Sequence, residues 1–210
     1  VFGGSIGAGA GIDYLAFLVP GVFVITALQG AQQTSMGLAA DLTEGVTDRF
    51  RSLPMSQMAV IAGRTLADAA RNIVGLILVT LLSIVMGYRF ASVGGAIGAI
   101  ALATAIGFGF SWLGAAIAAK VRQPDMVGML SMFWLFPLML ASTAFTPAET
   151  MPGWLQPFVR YQPISVASDA VRALANGTAA DGDIMLSIAW TGVLVVVFAP
   201  LSIRLYRAHR

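Results

Sequence analysis

The sequence predicts an all-α integral membrane protein with five membrane-spanning helices, and three observations carry that prediction. Apolar residues make up 58% of the chain and charged residues 10%, whereas soluble domains carry about 25% charged residues. Ionisable residues are separated by long uncharged gaps: Asp13 to Asp41, Arg71 to Arg89, Arg89 to Lys120, Asp125 to Glu149 and Asp183 to Arg204. Each gap approaches or exceeds the ~20 residues a helix needs to cross a ~30 Å hydrocarbon core. The third observation is negative: the alternating segments of about ten residues that build an outer-membrane barrel are absent.

Lysine and arginine set the orientation, because cytoplasmic loops carry their excess. With residues 41–71 inside, Arg49, Arg51, Arg64, Arg71, Lys120, Arg122, Arg204, Arg207 and Arg210 all fall inside, and only Arg89, Arg160 and Arg172 outside. The C-terminus is then cytoplasmic and residues 1–11 are external. A further spanning helix is expected ahead of them, giving six in the complete protein. The net charge of +2 is this same bias, with no nucleic-acid footprint. With no cysteine in the chain, a disulfide framework and a thiolate metal site are excluded.

The elements follow in order. Residues 1–13 form a glycine-rich external loop, and residues 15–40 span inward with Pro20 kinking the outer end. Gln29 and Gln33 share a face at i, i+4 spacing, beside Gln32, Thr34 and Ser35. They either line a translocation path or bond helix to helix. Residues 41–63 form a cytoplasmic region around a charged, helix-compatible island. In it Asp48, Arg49 and Arg51 alternate with Phe50, Leu53 and Met55, next to Pro54. Arginine with aromatic and apolar anchors is what a gripped interface favours.

Residues 58–71 read as a helix entering the membrane obliquely, with Arg64, Asp68 and Arg71 spaced for a solvated ion-pair ladder. This helix continues to Tyr88. Residues 94–119 make the next span, in which 15 of 26 residues are Gly or Ala. Gly95, Ala99, Ala103, Gly107, Ser111, Ala115 and Ala119 recur every four residues, a seam along which two backbones approach closely.

Residues 127–145 carry Met129, Met132, Phe133 and Phe136, with Pro137 in the outer half. Pliable methionine beside aromatics suits either varied apolar ligands or plain packing. Residues 146–183 are external and gate-like. Four prolines divide them, and Trp154, Phe158 and Tyr161 suit the headgroup layer. Residues 164–176 read as an amphipathic helix that Gly177 terminates. The last span, residues 184–203, contains Pro200 and leads to a basic tail.

The chemistry is sparse. There is no G-x-x-x-x-G-K-[ST] phosphate loop, and the single histidine, His209, sits in the tail. The spans hold no Asp, Glu, Lys or His between their ends, where ion-driven carriers keep ionisable groups. Such a chain needs its energy from outside, and a motor docked on residues 48–55 would supply it. An enzyme would need convergent acid, base or metal groups, and a channel a charged ring or carbonyl filter; neither pattern is visible.

Three blocks of residues carry a family resemblance. They are Tyr14-Leu15-Ala16-Phe17-Leu18-Val19-Pro20-Gly21; residues 45–56 with Gly63, Arg64 and Asp68; and Phe145-Thr146-Pro147 through Trp154-Leu155-Gln156-Pro157-Phe158, Gln162-Pro163 and residues 170–174. The chain resembles the membrane subunit of type 2 ABC exporters, and among them the daunorubicin-resistance-like efflux permeases. The resemblance implies two six-helix permease subunits, identical or different, in a bacterial plasma membrane, working with two cytoplasmic ABC ATPase subunits. ATP and magnesium would sit on those ATPases, and this chain would hold no cofactor and be no enzyme itself. The coupling helix would fall on Asp48, Arg49, Phe50, Arg51, Leu53, Pro54 and Met55, and a re-entrant gate on residues 146–177. The cargo it implies is an amphiphilic drug or lipid-like molecule, with a glycan or complex lipid as the alternative.

Overall fold

The computed structural model describes residues 14–43, 57–178 and 181–208, and these form seven α-helices and one 3-10 turn, with no strand among the described residues. In chain order the helices are α1 (Tyr14–Thr43), α2 (Gln57–Val85), α3 (Val93–Val121), α4 (Pro124–Leu140), α5 (Gln156–Tyr161), α6 (Pro163–Asn176) and α7 (Asp181–Ala208). The 3-10 turn, Ala148–Thr150, precedes α5. Residues 48–55, with every predicted coupling residue, lie outside the described residues.

α3 is the centre of the bundle, packed most extensively against α1 and α7 and also against α6. Its small-residue seam explains why. Ala99, Ala103, Gly107, Ser111, Ala115 and Ala119 are all buried within the chain. A methyl group added at Gly107 would stand 2.9 Å from the Ala27 carbonyl oxygen, and one at Gly114 only 1.6 Å from Ser35 Oγ. The seam is therefore filled from within the same chain, by α1 at Gly107 and by α6 at Gly95, which agrees with close packing as its role. The ends of α3 are cut sharply. Ser92 Oγ accepts the Gly95 N–H at 2.9 Å, and Arg122 closes the helix in the left-handed region at φ 59°.

Four helical stretches are long and apolar enough to cross a membrane: Tyr14–Thr43, Leu66–Val85, Val93–Val121 and Asp181–Leu205. α4 is apolar but shorter, with 17 residues rising about 26 Å, at the lower end of the ~17–25 residues that cross a bilayer. The predicted helix over residues 127–145 ends at Leu140 instead. Pro137 lies in its last turn, and the Gln162 amide takes the Leu138 and Ala141 carbonyls at 3.2 and 2.6 Å, so the chain turns away there.

Two further expectations change. The prolines of the external segment start helices as well as break them: Pro157 and Pro163 occupy first-turn positions of α5 and α6, where a missing N–H costs nothing. α6 also has more than one buried face. Ile164, Ala167 and Val171 are enclosed as expected, but so are Ser165 and Ser168. It is wedged among α1, α3 and α7.

Candidate functional site

Two polar constellations stand out in an otherwise apolar bundle. The first lies where α6 meets α1 and the turn after α4. The guanidinium of Arg172 donates to the Phe17 carbonyl through Nε at 3.3 Å and Nη2 at 3.2 Å, and to the Thr143 carbonyl through Nη2 at 2.9 Å. Nη1 pairs with Asp169 Oδ1, and the guanidinium carbon sits 3.9 Å from the centroid of the Phe17 ring. Thr143 Oγ1 donates to Asp169 Oδ1 at 3.0 Å, while its backbone N–H donates to Ser165 Oγ at 3.1 Å. Burial pushes the Asp169 carboxyl above its ordinary range, against the pull of Arg172 and the Thr143 hydroxyl. One residue turn further along, Asn176 donates to the Ala16 carbonyl at 3.1 Å and accepts the Tyr88 hydroxyl at 2.6 Å.

The second constellation is a cleft of about 220 Å³ between α1 and α2, lined by Thr26, Gln29, Gln33, Asp68, Arg71 and Asn72 among others. Asp68 is 7% exposed and pairs with Arg71 at 2.9 Å; Arg71 is 69% exposed. Asn72 Nδ2 donates to the Ala27 carbonyl at 3.1 Å. The Asp68–Arg71 pair of the expected ladder forms, with the carboxylate largely buried at the wall of the cleft and the guanidinium exposed. Asp68 lies at the very start of the apolar stretch Leu66–Val85, whose remaining residues hold no Asp, Glu, Lys or His.

The predicted site residues are distributed as follows. Gln29 and Gln33 share the cleft. Met129, Met132, Phe133 and Phe136 form an exposed apolar face of α4, with Phe133 at 79%, and do not line that cleft. Gln32 reaches α4 instead, donating to the Gly128 carbonyl at 3.4 Å. Trp154, Phe158 and Tyr161 are exposed on and before α5, while Val159 between them is fully buried. Among the described residues no group of three or more His, Cys, Asp or Glu could hold a metal ion. Sequence reasoning missed Arg172, Asn176 and Asp68. The signal for the first two was present: they stand at i, i+4 on one helix, a polar face on an element otherwise suited to burial.

The model of the ABC-2 type transporter family matches residues 1–175. The chain belongs to that family. Its permease relatives include the daunorubicin resistance ABC transporter permease protein DrrB1 of Streptomyces coeruleorubidus, 40% identical over 99% of this chain and 73% of that protein. A probable doxorubicin resistance permease, DrrC of Mycobacterium tuberculosis H37Rv, is 28% identical over 91% of this chain and 70% of its own length. The putative transport permease ycf38 of Porphyra purpurea is 24% identical over 79% and 57%. No solved structure matches the chain. As an ABC-2 family member with several membrane-length apolar helices, it is a multi-pass membrane protein.

Proposed function

We propose that this ABC-2 permease is the membrane subunit of an ATP-driven exporter that moves an amphiphilic drug or lipid-like molecule out of the cytoplasm or inner leaflet. The observation that carries the reading is the 40% identity, across 99% of the chain, to a daunorubicin resistance permease. In this reading ATP and magnesium act on separate cytoplasmic ABC ATPase subunits that dock at residues 48–55, and a second permease subunit, identical or different, completes the transporter. α4 makes a further span beside the four longer helices, and the C-terminus is cytoplasmic. Gln29 and Gln33 in the cleft and the Met129, Met132, Phe133, Phe136 face of α4 lie along the substrate's route. Residues 146–177 gate its release, with Trp154, Phe158 and Tyr161 against the outer leaflet.

The test is reconstitution of the permease in liposomes with and without an ABC ATPase subunit. Anthracycline efflux and vanadate-sensitive hydrolysis are expected with both subunits together. Hydrolysis by the permease alone would sink the proposal, as would ATP-driven export of glycans with no response to amphiphilic drugs.

A further inference from the structure

Proline 20 sits inside α1 with its ring fully buried. Proline has no N–H, so the carbonyl four residues earlier, that of Ala16, loses its helical donor, and the ring crowds the carbonyls at that break. In an apolar surrounding each unmet carbonyl is costly, and helix breaks persist only where neighbouring groups satisfy them. Here the neighbours are two side chains one helical turn apart on α6. Asn176 donates to Ala16 and Arg172 donates twice to Phe17, the next carbonyl along.

We propose that Arg172 and Asn176 are positioning residues of a latch that ties the seat of α6 to the break in α1 at Pro20. The inference rests on the reading of residues 146–177 as the release gate, and names what holds that gate in place. Both residues are committed on their far sides as well. Asn176 accepts the Tyr88 hydroxyl, and Arg172 joins Thr143 and Asp169. Backbone pairing of Ala91 N–H with the Ala175 carbonyl at 3.0 Å fixes the same end of α6 to the α2–α3 turn. α6 cannot leave its seat without exposing the Ala16 carbonyl. Straightening α1 does not rescue that carbonyl, because residue 20 has no hydrogen to offer. Movement of the external segment is therefore coupled to the outer end of α1 through a bond whose loss is costly because residue 20 is proline.

The chain has no cysteine, so one introduced thiol reports alone. Ser168 is fully buried on α6 and bonds only within its own helix, to the Ile164 carbonyl at 2.8 Å, so Ser168→Cys is a mild reporter that labels when α6 lifts. In the assembled transporter, Asn176→Ala should raise the labelling rate by an impermeant maleimide about five- to tenfold, the loss of one hydrogen bond to a buried carbonyl. Pro20→Ala restores the helical donor to Ala16, so in that background the effect of Asn176→Ala should shrink about fivefold. The Tyr88 contact is lost in both backgrounds and cancels. Equal effects in the two backgrounds, or no response to Asn176→Ala, overturn the latch. Should Asn176→Ala not accumulate, adding Pro20→Ala must restore its yield, which reads the same coupling; failure to do so overturns it too. Export measured on the same preparations separates the two ideas: coupled labelling with an unmoved kcat supports the latch and sinks the gate reading.

Discussion

Gly21→Ala should destabilise this permease, although alanine is the better helix former. Gly21 lies in α1, where a methyl group would stand 2.0 Å from the carbonyl oxygen of Ala144 and 2.8 Å from its carbonyl carbon. Carbon–oxygen contacts settle at about 3.3 Å or beyond, so α1 and the turn after α4 must part by roughly 1.3 Å. The obstacle is backbone and cannot swing aside as a side chain does. Overpacking of this kind costs about 1–3 kcal/mol. The displaced turn carries Thr143, whose bonds to Ser165 and Asp169 are at stake at about 1 kcal/mol each. Alanine returns about 1 kcal/mol of helix propensity. With one bond lost, the net is roughly 2 kcal/mol. At about 2–4 °C per kcal/mol for a chain of this size, the melting midpoint should fall about 4–8 °C. Tryptophan fluorescence of the detergent-purified protein reads it. Gly192→Ala is the control, since nothing lies within 4 Å of a methyl group there, and its midpoint should hold or rise. If both variants shift upward together, the close approach of α1 to Ala144 is wrong.

Four other outcomes are expected. Arg172→Gln leaves Asp169 without its cation and should cost about 2 kcal/mol, below the ~3–5 kcal/mol of a fully enclosed pair; unchanged melting would show that Asp169 does not depend on it. Phe50→Ala should weaken docking of the ATPase about thirtyfold, the ~2 kcal/mol of a buried interface anchor, with membrane insertion intact. Arg49 and Arg51 both changed to Lys should also lose transport, because lysine keeps the charge but not the guanidinium fork; wild-type export by both variants removes the coupling role. Gln156→Cys should react with an impermeant thiol reagent from outside intact cells, and labelling only after the cells are opened would invert the orientation.

The long apolar helices were legible in the sequence because charge is so rare that each gap marks a helix. Residues 94–119, predicted from one such gap, fall inside Val93–Val121. The small seam was legible for the same reason that it packs: nothing but Gly, Ala and Ser recurs along it. What the sequence concealed were the polar contacts between distant elements. Arg172 counts as one external charge in the orientation argument, yet it reaches 155 positions back to Phe17. Pro20 read as a kink, but which group would meet the freed carbonyl depends on how the external segment folds back. Asp68 looked solvated because it stands between two arginines in sequence; burial against α1 is a tertiary fact. The length of α4 was misjudged because hydropathy continues past Leu140 while the helix does not.

The crowding of α3 sets two tempos of change for this protein. Along its seam a side chain is chosen by volume, and substitution can wander only among the smallest residues without forcing α1 or α6 outward. On the outer faces of α2 and α7, where Leu78, Val85 and Val196 are largely exposed, any greasy residue of fair size serves. One helix therefore keeps a record of shape and the others a record of solubility in lipid. Distant members of the family should be easier to align by the spacing of small residues on α3 than by their most hydrophobic stretches.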